Sequence, residues 1–173
     1  MLIKELYRAI QRGAGDADIV ACDTVPHLTA GIHSMMRVGA DTSGRVYEWT
    51  KRQGVNSVMR LPINNCFFRA DFDCAAFTAR VDEDINLDFL EMCAYTGTAT
   101  IASATPYILS DKGAARMADI YKIADSGKYE LGIVNYENAG EPEIFESEDG
   151  TVRKEFNWTK PYNGSRVAYG WYE

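Results

Sequence analysis

Asp149-Gly150 and Asn163-Gly164 constrain this chain more than any other feature of its 173 residues. A two-residue type I′ hairpin loop needs positive φ at both central positions, and an Asp or Asn followed by Gly meets that need at least strain. The last third is therefore expected to form three antiparallel strands. Counting outward from Asn163-Gly164 sets Trp158 opposite Tyr169 and Phe156 opposite Trp171. The same count from Asp149-Gly150 sets Glu146 opposite Arg153.

Ahead of the hairpins, hydrophobic spacing alternates between helix and strand. Leu2, Ile3, Leu6, Tyr7 and Ile10 recur at helical intervals up to Gly13. A second helix is expected over 26–38, with Pro26 in first-turn position and Gly39 as its stop. ADIVAC between them reads as a strand; within 45–60, RVYEW and VNSVMRL read as two short strands, although WTKRQ would also suit a helical turn. Cys66, Phe68, Ala70, Phe72 and Cys74 alternate with Phe67, Arg69, Asp71 and Asp73, a period-two signal for a half-buried strand. Ile85, Phe89, Met92 and Cys93 return to helical spacing before Gly97. TATIAS reads as a strand, 110–127 as a helix capped by Ser110 or Asp111, and KYELGIVNYE as a strand. The expected class is α+β: a helical N-terminal part, central strand/helix alternation and a C-terminal antiparallel meander, in one domain over 1–173.

Charge and cysteine usage narrow the function classes. The net charge is −7, and EPEIFESED (141–149) alone contributes −5, which disfavours a phosphate backbone as partner. No apolar run approaches the roughly 20 residues of a membrane span, and MLIKELYRAIQRG lacks the unbroken apolar stretch of a secretory signal. Cys22, Cys66, Cys74 and Cys93 contain no CxxC pair and read as reduced, mostly buried thiols of a cytoplasmic protein.

The chemical motifs are few. ARVDEDINLD (79–88) places Asp82, Asp84 and Asn86 at alternate positions like a calcium loop. However, Leu87 stands where the turn glycine belongs and Cys93 where the closing glutamate belongs, so the acids are expected to cap a helix. His27 and His33 are six apart, on opposite sides of a helix, and cannot share a metal ion. Cys66 and Cys74 would lie about 26 Å apart along a strand. GAGDAD (13–18) follows a helix instead of a strand and has Asp18 at the third glycine of a dinucleotide fingerprint. The sequence therefore assigns no catalytic group, metal or cofactor.

Nine of the twenty aromatics follow Lys128, interleaved with Arg153, Lys154, Lys160 and Arg166. They read either as a core face packed under a helix or as a contact surface, and for the second reading Phe156, Trp158, Tyr169, Trp171, Arg153 and Lys154 are the candidate partner-binding residues. SGKYELGIVNYE followed later by VAYGWYE resembles, over at most the last third of the chain, the phage single-strand annealing proteins of the RecT type. That resemblance implies binding of single-stranded nucleic acid. The expected function is a non-enzymatic protein-protein interaction or assembly module, self-assembling or with a protein partner. A single-stranded nucleic-acid-binding module is the alternative, and a small hydrolytic enzyme drawing its acid or base from Asp71, Asp73 or the histidines is the third reading.

Overall fold

The computed structural model describes residues 2–105, 107–135, 137 and 140–160. It is an α+β chain in which parallel strands alternate with helices before a C-terminal antiparallel sheet. Helix α1 (Leu2–Ala14) precedes β1 (Val20–Cys22), the one-turn α2 (Pro26–Thr29), β2 (Met35–Arg37), α3 (Tyr47–Val58) and β3 (Arg69–Asp71). After these come β4 (Ala75–Phe77), α4 (Glu83–Tyr95), β5 (Ala102–Ala104) and α5 (Asp111–Ser126). The antiparallel sheet is β6 (Gly132–Ile133), β7 (Ile144–Glu146) and β8 (Arg153–Glu155).

Strands β1, β2 and β3 pair in parallel with Ala21, Met36 and Ala70 in one row, all three in the hydrophobic core. Strand β5 continues the order, because Ala99 bridges Asp71 and Ala102 pairs with Ala75. Four parallel rows therefore follow one another in chain order, linked by α2, α3 and α4, as parallel strands require crossovers. The other face of β1–β3 is more open: Val20, Cys22 and Arg69 are exposed and Met35 and Arg37 half-buried. Parallel sheets are ordinarily buried on both faces. Among the described residues β1 has no strand on its outer side.

The helix expected over 26–38 stops at Thr29, and its second half is strand β2. The pieces expected as strands within 45–60 are instead α3. Its buried side is Tyr47, Thr50, Gln53, Gly54, Ser57 and Val58, a helical period written largely in polar residues. The core accepts them because they are hydrogen-bonded. Ser57 Oγ donates to Gln53 Oε1 at 2.9 Å, and Gln53 Nε2 donates to the Phe72 carbonyl at 2.6 Å. Gly39, expected as a helix stop, makes room for Gln53: a Cβ on it would stand 1.9 Å from Oε1.

Helix α4 carries the centre of the core, with Leu87, Phe89, Leu90 and Met92 fully buried. Asp82 caps it by accepting from the Asp84 and Ile85 amides at 2.8 and 3.4 Å, as expected for the acidic stretch, and Gly97 ends it at φ 69°. Asp84 sits in the first turn, where a carboxylate favours the helix dipole. Ser110 caps α5 by accepting from the Gly113 amide at 3.0 Å, and Gly127 closes it at φ 58°. Arg116 of α5 ties the two helices together by reaching Asp88 at 2.5 Å and Glu91 at 2.7 Å.

The hairpin register is the expected one. Glu146 faces Arg153, and their side chains form an ion pair at 2.7 Å. The loop differs in type, since Gly150 alone takes positive φ (69°) and donates to the Ser147 carbonyl at 2.9 Å. Asp149 holds the turn through its Oδ1, which accepts from Ser147 Oγ, Thr151 N and Thr151 Oγ1. Those bonds, the Ser147 hydroxyl foremost, lower its pKa to about 2. The second hairpin, at Asn163-Gly164, lies outside the described residues.

Trp158 joins the antiparallel sheet to the rest of the chain. It is fully buried, its indole N–H donates to the Pro142 carbonyl at 3.1 Å, and its ring stands 5.7 Å from that of Phe89. A Cβ on Gly54 would meet the Trp158 ring at 2.4 Å, so α3 needs glycine there. Trp158→Ala is expected to cost roughly 3–5 kcal/mol. Gly54→Val, which overfills the same contact, should cost roughly 1–3 kcal/mol. Urea denaturation followed by tryptophan-independent circular dichroism measures both, and an unchanged midpoint in either variant contradicts this account.

Candidate functional site

In open parallel α/β sheets, ligands meet the chain beyond the carboxyl ends of the strands, where the loops leave the sheet. That edge here gathers Cys22 and Asp23 at the end of β1, Arg37 and Asp41 at and beyond the end of β2, and Asp71 and Asp73 at and beyond the end of β3. A backbone irregularity sets Asp73. From the Asp71–Ala99 bridge to the Ala75–Ala102 pair there are four residue steps on one strand (71 to 75) against three on the other (99 to 102). The extra residue is a bulge, the device by which a strand is bent and a side chain re-aimed. Within it Asp73 takes φ 65°, and Asp23 takes φ 47° at the end of β1. Positive φ is uncommon outside glycine and best tolerated by Asp and Asn.

Hydrogen bonds fix the cluster. The Asp73 amide donates to Asp71 Oδ1 at 2.7 Å, and Asp73 Oδ2 accepts from the Thr42 amide at 2.8 Å and the Thr42 hydroxyl at 3.1 Å. Thr42 Oγ1 also reaches the Cys74 carbonyl at 2.8 Å. Arg37 Nη1 lies 2.9 Å from Asp41 and 3.7 Å from Asp73, and Nη2 donates to Cys22 Sγ at 2.8 Å. Its Nε is buried and has no acceptor among the described residues.

The electrostatics of these groups differ. Burial pushes the Asp71 carboxyl up, helped by the charge of Asp73 and opposed by the Asp73 amide and by Arg37. For Arg37, burial opposes the charge, yet Cys22, Asp73, Asp41 and Asp23 outweigh it and raise the pKa. Burial also raises the Cys74 thiol, against a lowering hydrogen bond from Thr42. The edge thus combines one buried acid of raised pKa with a bulge-held carboxylate and a guanidinium.

The fold has a counterpart among known enzymes. An α-galactosidase from Thermus thermophilus, TtGalA, solved in complex with p-nitrophenyl α-D-galactopyranoside, is similar in structure with a TM-score of 0.58. The match covers 88% of this chain and 32% of that one, at 14% sequence identity. At that identity the likeness is one of fold, and this chain spans about a third of the galactosidase's length. No family model matches the chain, and no curated protein matches it.

The four described residues expected to bind a partner differ in exposure. Phe156 and Trp158 lie in the core at 4% and 0% exposure, so their rings are packing groups of this fold rather than free surface. Arg153 is exposed and paired with Glu146, and Lys154 Nζ stands 4.7 Å over the Tyr95 ring. Tyr169 and Trp171 lie outside the described residues. The histidines are not a helical pair: His27 is exposed, while His33 is buried beyond the end of α2, edge-on to Tyr7 at 5.5 Å, and burial lowers its pKa. Cys22 and Cys66 are exposed, contrary to the expected burial, whereas Cys93 is buried and its pKa is pushed up to about 12. Among the described residues no three His, Cys, Asp or Glu side chains gather as metal ligands, and no helix is long and apolar enough to cross a membrane.

A concavity of about 550 Å³ lies at the opposite edge, between the start of β3 and the end of α5. Several of its polar groups already serve one another: Asn65 donates to Glu130, Arg69 to the Thr98 carbonyl, and Lys128 covers the Tyr129 ring. The carboxyl edge, with its acid, bulge and guanidinium, carries more chemistry than this concavity.

Asp71 gives a test of the cluster that reads stability. Its folded pKa is raised, so the stability tied to its protonated form is complete below the unfolded pKa and is lost as pH rises through the folded value. Asp71→Asn keeps the acceptor for the Asp73 amide and removes the buried charge. The melting temperature of this variant should match wild type near pH 3 and exceed it at pH 7. A variant less stable than wild type at pH 7 would show that the carboxylate is not a buried, disfavoured charge.

Proposed function

We propose that the carboxyl edge of the parallel sheet binds a sugar, and that the chain provides part of a glycoside-processing site. The observation that carries this reading is the bulge that sets Asp73 beside Asp71 and Arg37. A pyranose presents hydroxyls that both donate and accept; carboxylates only accept and a guanidinium only donates, so the cluster complements a polyol. Asp71 is suited to give a proton to a departing glycosidic oxygen, because burial keeps its proton to higher pH. Pairs of carboxyl groups flanking the scissile bond are the usual equipment of glycoside hydrolysis. The fold likeness to a galactoside-bound enzyme supports choosing galactosides as the first sugars to test. The exposed thiols of Cys22 and Cys66, neither of them in a disulfide, favour a reducing, cytoplasmic setting.

Titration of the ¹⁵N-labelled chain with methyl α-D-galactopyranoside is expected to shift amides of 22–24, 37–43 and 71–74. Asp73→Asn, which tolerates positive φ and keeps an acceptor for Thr42, should weaken binding about tenfold or more, in line with the roughly 1.5–3 kcal/mol of a charged hydrogen bond. No shift at millimolar sugar, or shifts confined to the opposite edge, would reject the sugar reading.

A second reading, an assembly module, is favoured by a different observation than the aromatic tail. Leu2, Ile3, Leu6 and Ile10 form an apolar stripe on α1 that stays 45–88% exposed, and Val20 of the edge strand β1 is exposed at 59%. An unpaired strand edge and an exposed apolar helix face each suit contact with another protein or a second copy. Light scattering over a hundredfold concentration range should then show an assembly that Leu6→Glu dissolves; a monomer throughout removes self-association.

A further inference from the structure

The concavity between the start of β3 and the end of α5 is lined by charges of both signs, Arg69 and Lys128 with Asp125 and Glu130. Opposite charges around one hollow attract one another. Yet among the described residues none of these four joins an ion pair. Three of them are held by uncharged neighbours instead. Arg69 Nη2 donates to the Thr98 carbonyl at 3.3 Å, Glu130 Oε1 accepts from Asn65 Nδ2 at 2.5 Å, and Lys128 Nζ stands 5.5 Å from the centre of the Tyr129 ring. These contacts position the charges without neutralising them. The Asp125 carboxylate has no hydrogen bond or ion pair among the described residues. Helix α5 ends at the same wall, at Gly127, and the partial negative charge of a helix C-terminus adds to that of Asp125. The Thr100 hydroxyl, also in the wall, is buried with no hydrogen-bond partner among the described residues, a state that few polar groups of a native fold adopt.

We propose that this concavity binds a small zwitterion, a molecule carrying both a free ammonium and a free carboxylate, as an amino acid or a short peptide does. Arg69 and Lys128 only donate and suit the carboxylate; Asp125, Glu130 and the open carbonyls at the end of α5 only accept and suit the ammonium. A simple anion would be repelled by the two acids and a simple cation by the two bases, so a ligand with both signs is the one complementary to the whole lining. A volume of about 550 Å³ is that of a small-molecule site. Because Arg69, Glu130 and Lys128 are already held by Thr98, Asn65 and Tyr129, binding sacrifices less side-chain freedom than it would with loose charges. The site lies away from Asp71, Asp73 and Arg37 and does not depend on the sugar reading of the carboxyl edge.

The test titrates the ¹⁵N-labelled full chain with L-alanine and with L-alanyl-L-alanine, each also in its N-acetylated and its carboxamide form. At least one of the two zwitterions should shift amides of 65–69, 97–100 and 121–130 at millimolar concentration, and the one that binds more tightly tells amino acid from peptide. Blocking either end should weaken binding about tenfold or more, the loss expected for one charged hydrogen bond. Arg69→Gln, which keeps a donor for the Thr98 carbonyl, should erase the preference for carboxylate over carboxamide and retain that for ammonium over N-acetyl. Asp125→Asn should do the reverse. No shift with either zwitterion, or blocked forms that bind as tightly as free ones, overturns the proposal. So does an equal loss for every form in Arg69→Gln and Asp125→Asn, which would make these side chains structural rather than ligand-facing.

Discussion

The rest of the structure depends on one close approach, that of the Trp158 ring to the backbone of α3 at Gly54. A tryptophan can be fully buried only where its N–H finds an acceptor and its faces find a wall. Pro142 supplies the acceptor; Phe89 and the glycine supply the wall. Tyr47 at the start of α3 completes the clamp, its hydroxyl donating to the Trp158 carbonyl at 2.7 Å. The antiparallel sheet is thereby fixed to the helices that connect the parallel strands. Tyr95 extends the same seam, with Phe156 and Tyr129 on either side at 5.8 and 4.8 Å.

Helix α3 transmits that anchorage to the carboxyl edge. Its buried Gln53 holds the Phe72 carbonyl, midway between Asp71 and Asp73. Ser43 and Thr50 tie the loop after β2 to the same helix: the Ser43 amide donates to Thr50 Oγ1 at 3.3 Å. Thr78 reaches back to the Gly44 carbonyl of that loop. The bulge at 72–74 is thus held from the helix side by a side-chain amide and from the solvent side by Thr42. Two acids with different surroundings result from a single inserted residue, one buried and protonated to higher pH, the other held open beside a guanidinium.

Elements whose information is local were legible in the sequence. Helices α4 and α5 combine an apolar stripe with a side-chain cap and a left-handed glycine, and the Glu146–Arg153 register follows from counting away from Asp149-Gly150. Helix α3 was not legible because its buried face is Thr50, Gln53, Gly54 and Ser57, which imitates a solvent face in any hydrophobic pattern. Strands of three residues, such as β1 and β2, are too short to show a period, so the tail of the second predicted helix concealed β2. The candidate site was hidden for a related reason. Asp23, Arg37 and Asp73 are brought together only by parallel pairing across crossovers, and the bulge is visible only when two strands are compared. The aromatic tail left two readings open, because a Phe and a Trp in alternation describe a core face as well as a contact face, and Phe156 and Trp158 lie in the core.

Helix α1 shows what happens where such anchorage is missing. None of its residues is buried, and its ties to the body are the Tyr7 ring against His33 and the Gln11 amide on the Gly31 carbonyl at 3.3 Å. Its opening therefore exposes little surface that folding had covered, and its free energy of local unfolding falls far below that of α4, whose side chains fill the core. Backbone amides of α1 exchange with solvent through that small local opening, whereas those of α4 wait for the whole core to come apart. One chain thus carries two widely separated rungs of stability, with the candidate site standing on the upper one.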